Sequence, residues 1–151
     1  MPFAEASAVV PLSASEAFAL AHEVGDARAE WDPEVAECRF IRGSSEDGQD
    51  VFRFVKTPRG RRMILRTQTW FPPVSSSSVM VKGPAWMREY GEGWRVRELE
   101  DGTSKVTLKI TLRLPSPGQR AVGAITEGTL QDIADRRMRG YAAAAAGRAQ
   151  V

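Results

Sequence analysis

Lys105–Leu114 alternates without a break: Val106, Leu108, Ile110, Leu112 and Leu114 are apolar, and Thr107, Lys109, Thr111 and Arg113 are polar. A period of two puts all the apolar side chains on one face, so the segment predicts a strand in a sheet with one buried and one wet face. Pro115-Ser-Pro-Gly118 stops that strand. A single long helix is then predicted over Gln119–Ala146, roughly 40 Å from end to end at 1.5 Å per residue. One of its sides carries Val122, Thr126, Thr129, Leu130, Ile133, Ala134 and Tyr141. Asp132–Arg136 and Asp135–Arg139 have the i,i+4 spacing of ion pairs on its solvated side. A half-buried antiparallel strand that leads at once into one long one-faced helix predicts a sheet bent around that helix.

The rest of the chain supplies more strands. Residues 3–11 read as a short strand, and Ser13-Ala-Ser-Glu16 is a capping-box pattern that starts a helix through Ala17, Phe18, Leu20, Ala21 and Val24. A second short helix is predicted over Asp26–Glu30, ended by Trp31-Asp-Pro33. Strands are then predicted over Val35–Arg42, Asp50–Thr57, Arg61–Phe71, Ser77–Lys82 and Gly93–Glu100, separated by turn-forming Gly, Pro and Asp-Gly sequences. The whole of 1–151 is expected to be one domain.

Composition narrows the function classes. Hydrophobic residues make up 42% of the 151 residues, enough for a packed interior. The net charge of +2 is a weak case for a nucleic-acid surface, so no nucleic-acid partner is expected. Cys38 is the single cysteine and His22 the single histidine, which leaves no typical zinc set, and no cofactor motif is present. No apolar run approaches bilayer length, and Met1–Leu12 lacks the pattern of a signal peptide. These features predict a soluble, cytoplasmic protein without a transmembrane segment.

The order of elements, the Leu12-Ser-Ala-Ser-Glu16 entry, the Trp31-Asp-Pro33 exit, the Gly83-Pro84 turn, Trp94 and Asp101-Gly-Thr-Ser-Lys-Val106 together resemble the SRPBCC superfamily. That superfamily holds START lipid-binding domains, polyketide cyclases and aromatases, and the birch-pollen allergen. The resemblance implies an α+β helix-grip fold: a curved seven-stranded antiparallel sheet around a long C-terminal helix, with two short helices after the first strand. It also implies a cavity for a hydrophobic or polycyclic small molecule. In the aromatase branch an Arg at the inner end of the long strand pairs with a Tyr after the Trp-x-Pro region. The matching places here hold Trp70 and Cys38, with Arg66 as the nearest substitute only if the strand register shifts. The expectation is therefore ligand binding. A cyclase- or aromatase-type enzyme and a ligand-free interaction domain remain as alternatives.

Candidate ligand-binding residues follow from face and chemistry. Phe52, Phe54, Trp86, Tyr90 and Trp94 are strand-region aromatics suited to a cavity wall. Leu65, Thr67 and Thr69 share one face by alternation, and Thr126, Thr129, Leu130 and Ile133 share the apolar helix stripe. Hydroxyls on such faces need hydrogen-bond partners, which a ligand or the helix backbone can supply. Arg59, Arg61, Arg62 and Arg66, with Arg136, Arg137 and Arg139, read as solvated. No catalytic residue is assigned: His22 lies apart from any acid–nucleophile set, and Cys38 is a lone thiol.

Overall fold

The computed structural model describes residues 3–113 and 120–149, the side chains of 120–127 excepted. Its elements are β1 (Phe3–Val10), α1 (Ala14–Ala21), α2 (Gly25–Trp31), β2 (Glu37–Ile41), β3 (Phe52–Lys56), β4 (Arg62–Phe71), β5 (Ser75–Lys82), β6 (Glu89–Glu98), β7 (Ser104–Arg113) and α3 (Arg120–Ala149). The described strands form one curved, seven-stranded antiparallel sheet in the order β1-β7-β6-β5-β4-β3-β2. With α3 as the long C-terminal helix and α1 and α2 after the first strand, this is the helix-grip α+β arrangement. Leu114, the Pro115–Gly118 turn, Gln119 and the side chain of Thr126 lie outside the described residues.

Local chemistry explains the elements. Ser13 and Glu16 complete the capping box at the start of α1. Alternation in β7 buries Val106, Leu108 and Ile110 completely, each worth about 1.5–3 kcal/mol against exposure. From α3, Leu130, Ala134, Met138 and Tyr141 are buried in the same core. The Tyr141 hydroxyl donates to the Ala17 carbonyl at 2.7 Å, and its ring meets those of Trp31 and Trp94 at centroid distances of 5.5 and 5.4 Å. At Gly140 the helix backbone rests on the carbonyl of Trp31, where a Cβ would collide with backbone oxygen.

Two details of the strands depart from the sequence reading. β6 begins at Glu89 and ends at Glu98, four residues earlier at its start than Gly93. Gly91 and Gly93 are strand residues; a Cβ on Gly91 would lie 2.9 Å from the Thr111 hydroxyl, so a close cross-strand approach accounts for the glycine. In β4 the register shifts between Thr67, opposite Ser78, and Thr69, opposite Ser77. The extra residue, Gln68, is a bulge that inverts the alternation beyond it. Thr67 keeps the inner face of Met63 and Leu65, whereas Thr69 falls outside and bonds the Ser77 hydroxyl at 2.7 Å.

Candidate functional site: a cavity with a charged end

Between the inner face of the sheet and α3 lies a cavity of about 460 Å³, within the range of small-molecule sites. Its apolar walls include Val55 of β3, Leu65 of β4, Ile110 and Leu112 of β7, and Leu130 and Ile133 of α3. Trp86, Arg59, Arg61 and Arg136 are lining residues near the surface. Arg61 stacks over the Trp86 ring at 5.2 Å, and Arg136 pairs with Glu34 at 3.1 Å rather than with Asp132.

Another part of the lining is charged and buried. Arg137 projects from the middle of the apolar stripe of α3 and is 3% exposed. Its Nε and Nη2 donate to Asp32, and its Nη1 donates to Glu92 Oε2 at 3.0 Å. Asp32 also accepts from Arg28 Nε at 2.9 Å, a contact set up by i,i+4 spacing at the end of α2. Tyr90 donates its hydroxyl to Glu92 Oε2 at 3.0 Å. From β3, Arg53 crosses β4 to donate to the Ser78 hydroxyl at 2.7 Å, with its Nε 4.0 Å from Asp47 Oδ2. Asp47 is held through its other oxygen by the Thr67 hydroxyl at 2.9 Å.

Burial alone would raise the Glu92 carboxyl; Arg137, then Arg53 and Arg28, outweigh it and hold the group down at about 2. Burial likewise opposes ionisation of Asp32, and Arg137 and Arg28 prevail, leaving it below the usual carboxylate range. Tyr90 is pushed well up, first by burial and then by Glu92. Burial also pushes the Cys38 thiol up. The site therefore holds fixed charges at neutral pH, with a carboxylate that is a weak base and a phenol that is a weak acid near pH 7. Among the described residues no three His, Cys, Asp or Glu side chains converge on a metal position.

A family model described as polyketide cyclase / dehydrase and lipid transport matches residues 1–146. The chain belongs to this family. Similar solved structures include TTHA0849 from Thermus thermophilus, with TM-score 0.73, 15% identity and coverage of 93% of this chain and 94% of that one. The protein XoxI from Bacillus cereus gives TM-score 0.71 at 16% identity, covering 96% of each chain. A START superfamily protein from Mycobacterium smegmatis gives 0.70 at 15% identity, covering 99% and 98%. At such identities the likeness is one of fold. No curated protein matches the chain at a significant level. A cavity-bearing member of the polyketide cyclase/dehydrase and lipid transport family is consistent with binding a ligand there.

The cavity of this family member brings together Leu65, Trp86, Tyr90, Thr129, Leu130 and Ile133 from the sequence candidates. Five others lie elsewhere or behind its wall. Phe52 and Phe54 sit on the outer face of β3, stacked under Arg42 and Arg39 at 4.0 and 4.9 Å, because Arg53 and Val55 take the inner positions. Thr67 is buried against Asp47, Thr69 faces outward after the bulge, and Trp94 packs in the core against Trp31 and Tyr141. Arg66 stays on the outer face of β4, because the bulge comes after it. Trp70, inverted inward by the same bulge, packs on Phe18 and His22 at 5.1 and 5.0 Å, and Cys38 lines the cavity.

The sequence reading missed Arg28, Asp32, Asp47, Arg53, Glu92 and Arg137, and placed Arg137 on the solvated side. Periodicity held the signal for several of them. Arg137 follows Ile133 by four residues and precedes Tyr141 by four, and Glu92 is in phase with Trp94 and Val96. His22 also has partners: its Nδ1 lies 2.6 Å from the Phe18 carbonyl and its Nε2 2.5 Å from the Ser76 hydroxyl.

Proposed function

We infer that the protein binds a hydrophobic or polycyclic small molecule, lipid-like or polyketide-like, in the cavity between the sheet and α3. The observation that carries this reading is the cavity itself: about 460 Å³, with apolar walls from the sheet and α3 and a set of buried, fixed charged groups. The family description, which joins cyclase or dehydrase activity to lipid transport, supports a ligand of that kind. Binding is favoured over turnover because Glu92 and Tyr90 are shifted away from neutrality in opposite directions. Trp70 and Cys38 stand at the places of the aromatase Arg and Tyr, so that particular pair is missing here.

The test is calorimetric titration with a neutral polycyclic hydrocarbon, 2-methylnaphthalene. Wild-type protein is expected to take up one molecule per chain. Ile133→Trp, which places an indole inside the cavity, is expected to weaken that binding at least tenfold while the urea unfolding midpoint stays close to wild type. Absence of uptake by the wild type, or equal affinity in the two proteins, would overturn the reading.

A further inference from the structure

The charged part of the cavity lining contains a donor and an acceptor. Ser78 of β5 is the cross-strand partner of Glu92 of β6, and directly opposed residues in an antiparallel pair have Cβ atoms about 4.5–5.5 Å apart. Arg53 reaches over β4 to that same Ser78, so its guanidinium lies on the inner face within electrostatic reach of the Glu92 carboxylate. Each group has an atom left over. Glu92 accepts both of its hydrogen bonds, from Tyr90 and Arg137, through Oε2. Arg53 spends Nη2 on Ser78, and its Nε is sealed without a hydrogen bond, facing Asp47. Glu92 Oε1 and Arg53 Nη1 make no hydrogen bond among the described residues and are not sealed in, and both residues line the cavity.

Charge then limits what these two atoms can meet. Arg28, Arg53 and Arg137 stand against Asp32, Asp47 and Glu92, three cations against three carboxylates. The cluster is neutral without a ligand, so a charged ligand would bring an unpaired charge into a buried site at high cost. A carboxylate would also lie against Glu92 Oε1. A ligand with only an acceptor would satisfy Arg53 and leave Glu92 facing apolar surface.

We propose that Arg53 and Glu92 form a recognition subsite for a neutral ligand group that carries an oxygen acceptor beside a free hydroxyl donor, such as a vicinal diol, on an apolar ring or chain. Arg53 Nη1 donates to the ligand oxygen and Glu92 Oε1 accepts from its hydroxyl. Glu92 stays ionised for this role at neutral pH because Arg137, Arg53 and Arg28 hold its carboxyl low. The inference rests on the binding reading above and narrows its ligand class.

Matched naphthalenes test it by titration at pH 7. In wild-type protein, 2,3-dihydroxynaphthalene is expected to bind at least tenfold more tightly than 2-methoxynaphthalene, which offers an acceptor only, and 2-naphthoate more weakly than 2-methylnaphthalene. In Glu92→Gln, which removes the negative charge and adds an amide donor, 2-naphthoate is expected to gain affinity relative to 2,3-dihydroxynaphthalene. Arg53→Met is expected to weaken 2,3-dihydroxynaphthalene and 2-methoxynaphthalene more than it weakens 2-methylnaphthalene; an equal effect on all three would overturn the role of its guanidinium. The wild-type comparison stands even if a variant fails to fold. Equal binding of all four compounds, or a preference for 2-naphthoate, would overturn the subsite and leave the binding reading intact. If not even 2-methylnaphthalene binds, it is the binding reading that fails.

Discussion

His22 shows what burial does to a single titratable group. Its ring lies between Phe18 and Trp70, and both nitrogens are engaged, by the Phe18 carbonyl and the Ser76 hydroxyl. Burial is the largest influence and lowers its pKa from 6.5 to about 4, with the Phe18 carbonyl and Asp47 resisting and Arg53 and Arg28 assisting. Between those values the unfolded chain binds a proton that the folded chain refuses. Stability is therefore fully present above about pH 6.5 and is lost as pH falls toward 4. Glu92 and Asp32 contribute below about pH 4.5, where their unfolded forms begin to protonate, so the interval from 6.5 to 4.5 belongs to His22. A loss of about 2 kcal/mol is expected across it. Urea unfolding at half-unit pH steps checks this: wild type should weaken steadily, and His22→Phe, less stable at pH 7, should be nearly flat. Equal slopes would remove His22 as the cause.

At the scale of elements, the crossing of α3 over the end of α2 depends on a missing side chain. Gly140 lies against the Trp31 carbonyl, with Pro33 Cδ 3.4 Å from where a Cβ would be. The opposing atoms are backbone and a ring, neither of which can rotate away. Asp32, the next residue, holds Arg28 and Arg137, so a shift here would also stretch the charge cluster. Gly→Ala inside a helix ordinarily stabilises by about 1 kcal/mol. Gly140→Ala is expected to do the reverse, costing about 2 kcal/mol or more through overpacking. Thermal and urea denaturation give the sign directly. The elements themselves were largely legible in the sequence, because alternation in Lys105–Leu114, the capping box and the apolar stripe of α3 are local signals. Their faces were less so. Gln68 has no property that announces a bulge, yet it decides that Thr69 points out and Trp70 in. In β3, hydrophobicity favours Phe52 and Phe54 as the inner pair, but Arg53 can be buried because Ser78 and Asp47 receive it. Those partners lie on other elements, and so they are invisible to a one-strand reading.

At the scale of the whole molecule, the long helix is fastened to three separate parts of the fold: Arg137 to α2 through Asp32 and to β6 through Glu92, and Tyr141 to α1 through the Ala17 carbonyl. Removing one partner of a buried ion pair costs about 3–5 kcal/mol, so these contacts hold this stretch of α3 firmly to α2, β6 and α1. Trp86 lines the cavity, is 41% exposed and lies beneath Arg61, which makes it the candidate for a residue that a ligand would pass. If ligands do pass there, the indole would govern residence time more than affinity. Trp86→Ala should raise both the association and the dissociation rate constants for 2-methylnaphthalene several-fold in stopped-flow mixing, while their ratio changes less than about threefold. A change confined to dissociation would place the indole among the groups that hold the bound molecule. Faster exchange at constant affinity would make the protein a vessel whose filling time is tuned at its rim, independently of how tightly it holds its contents.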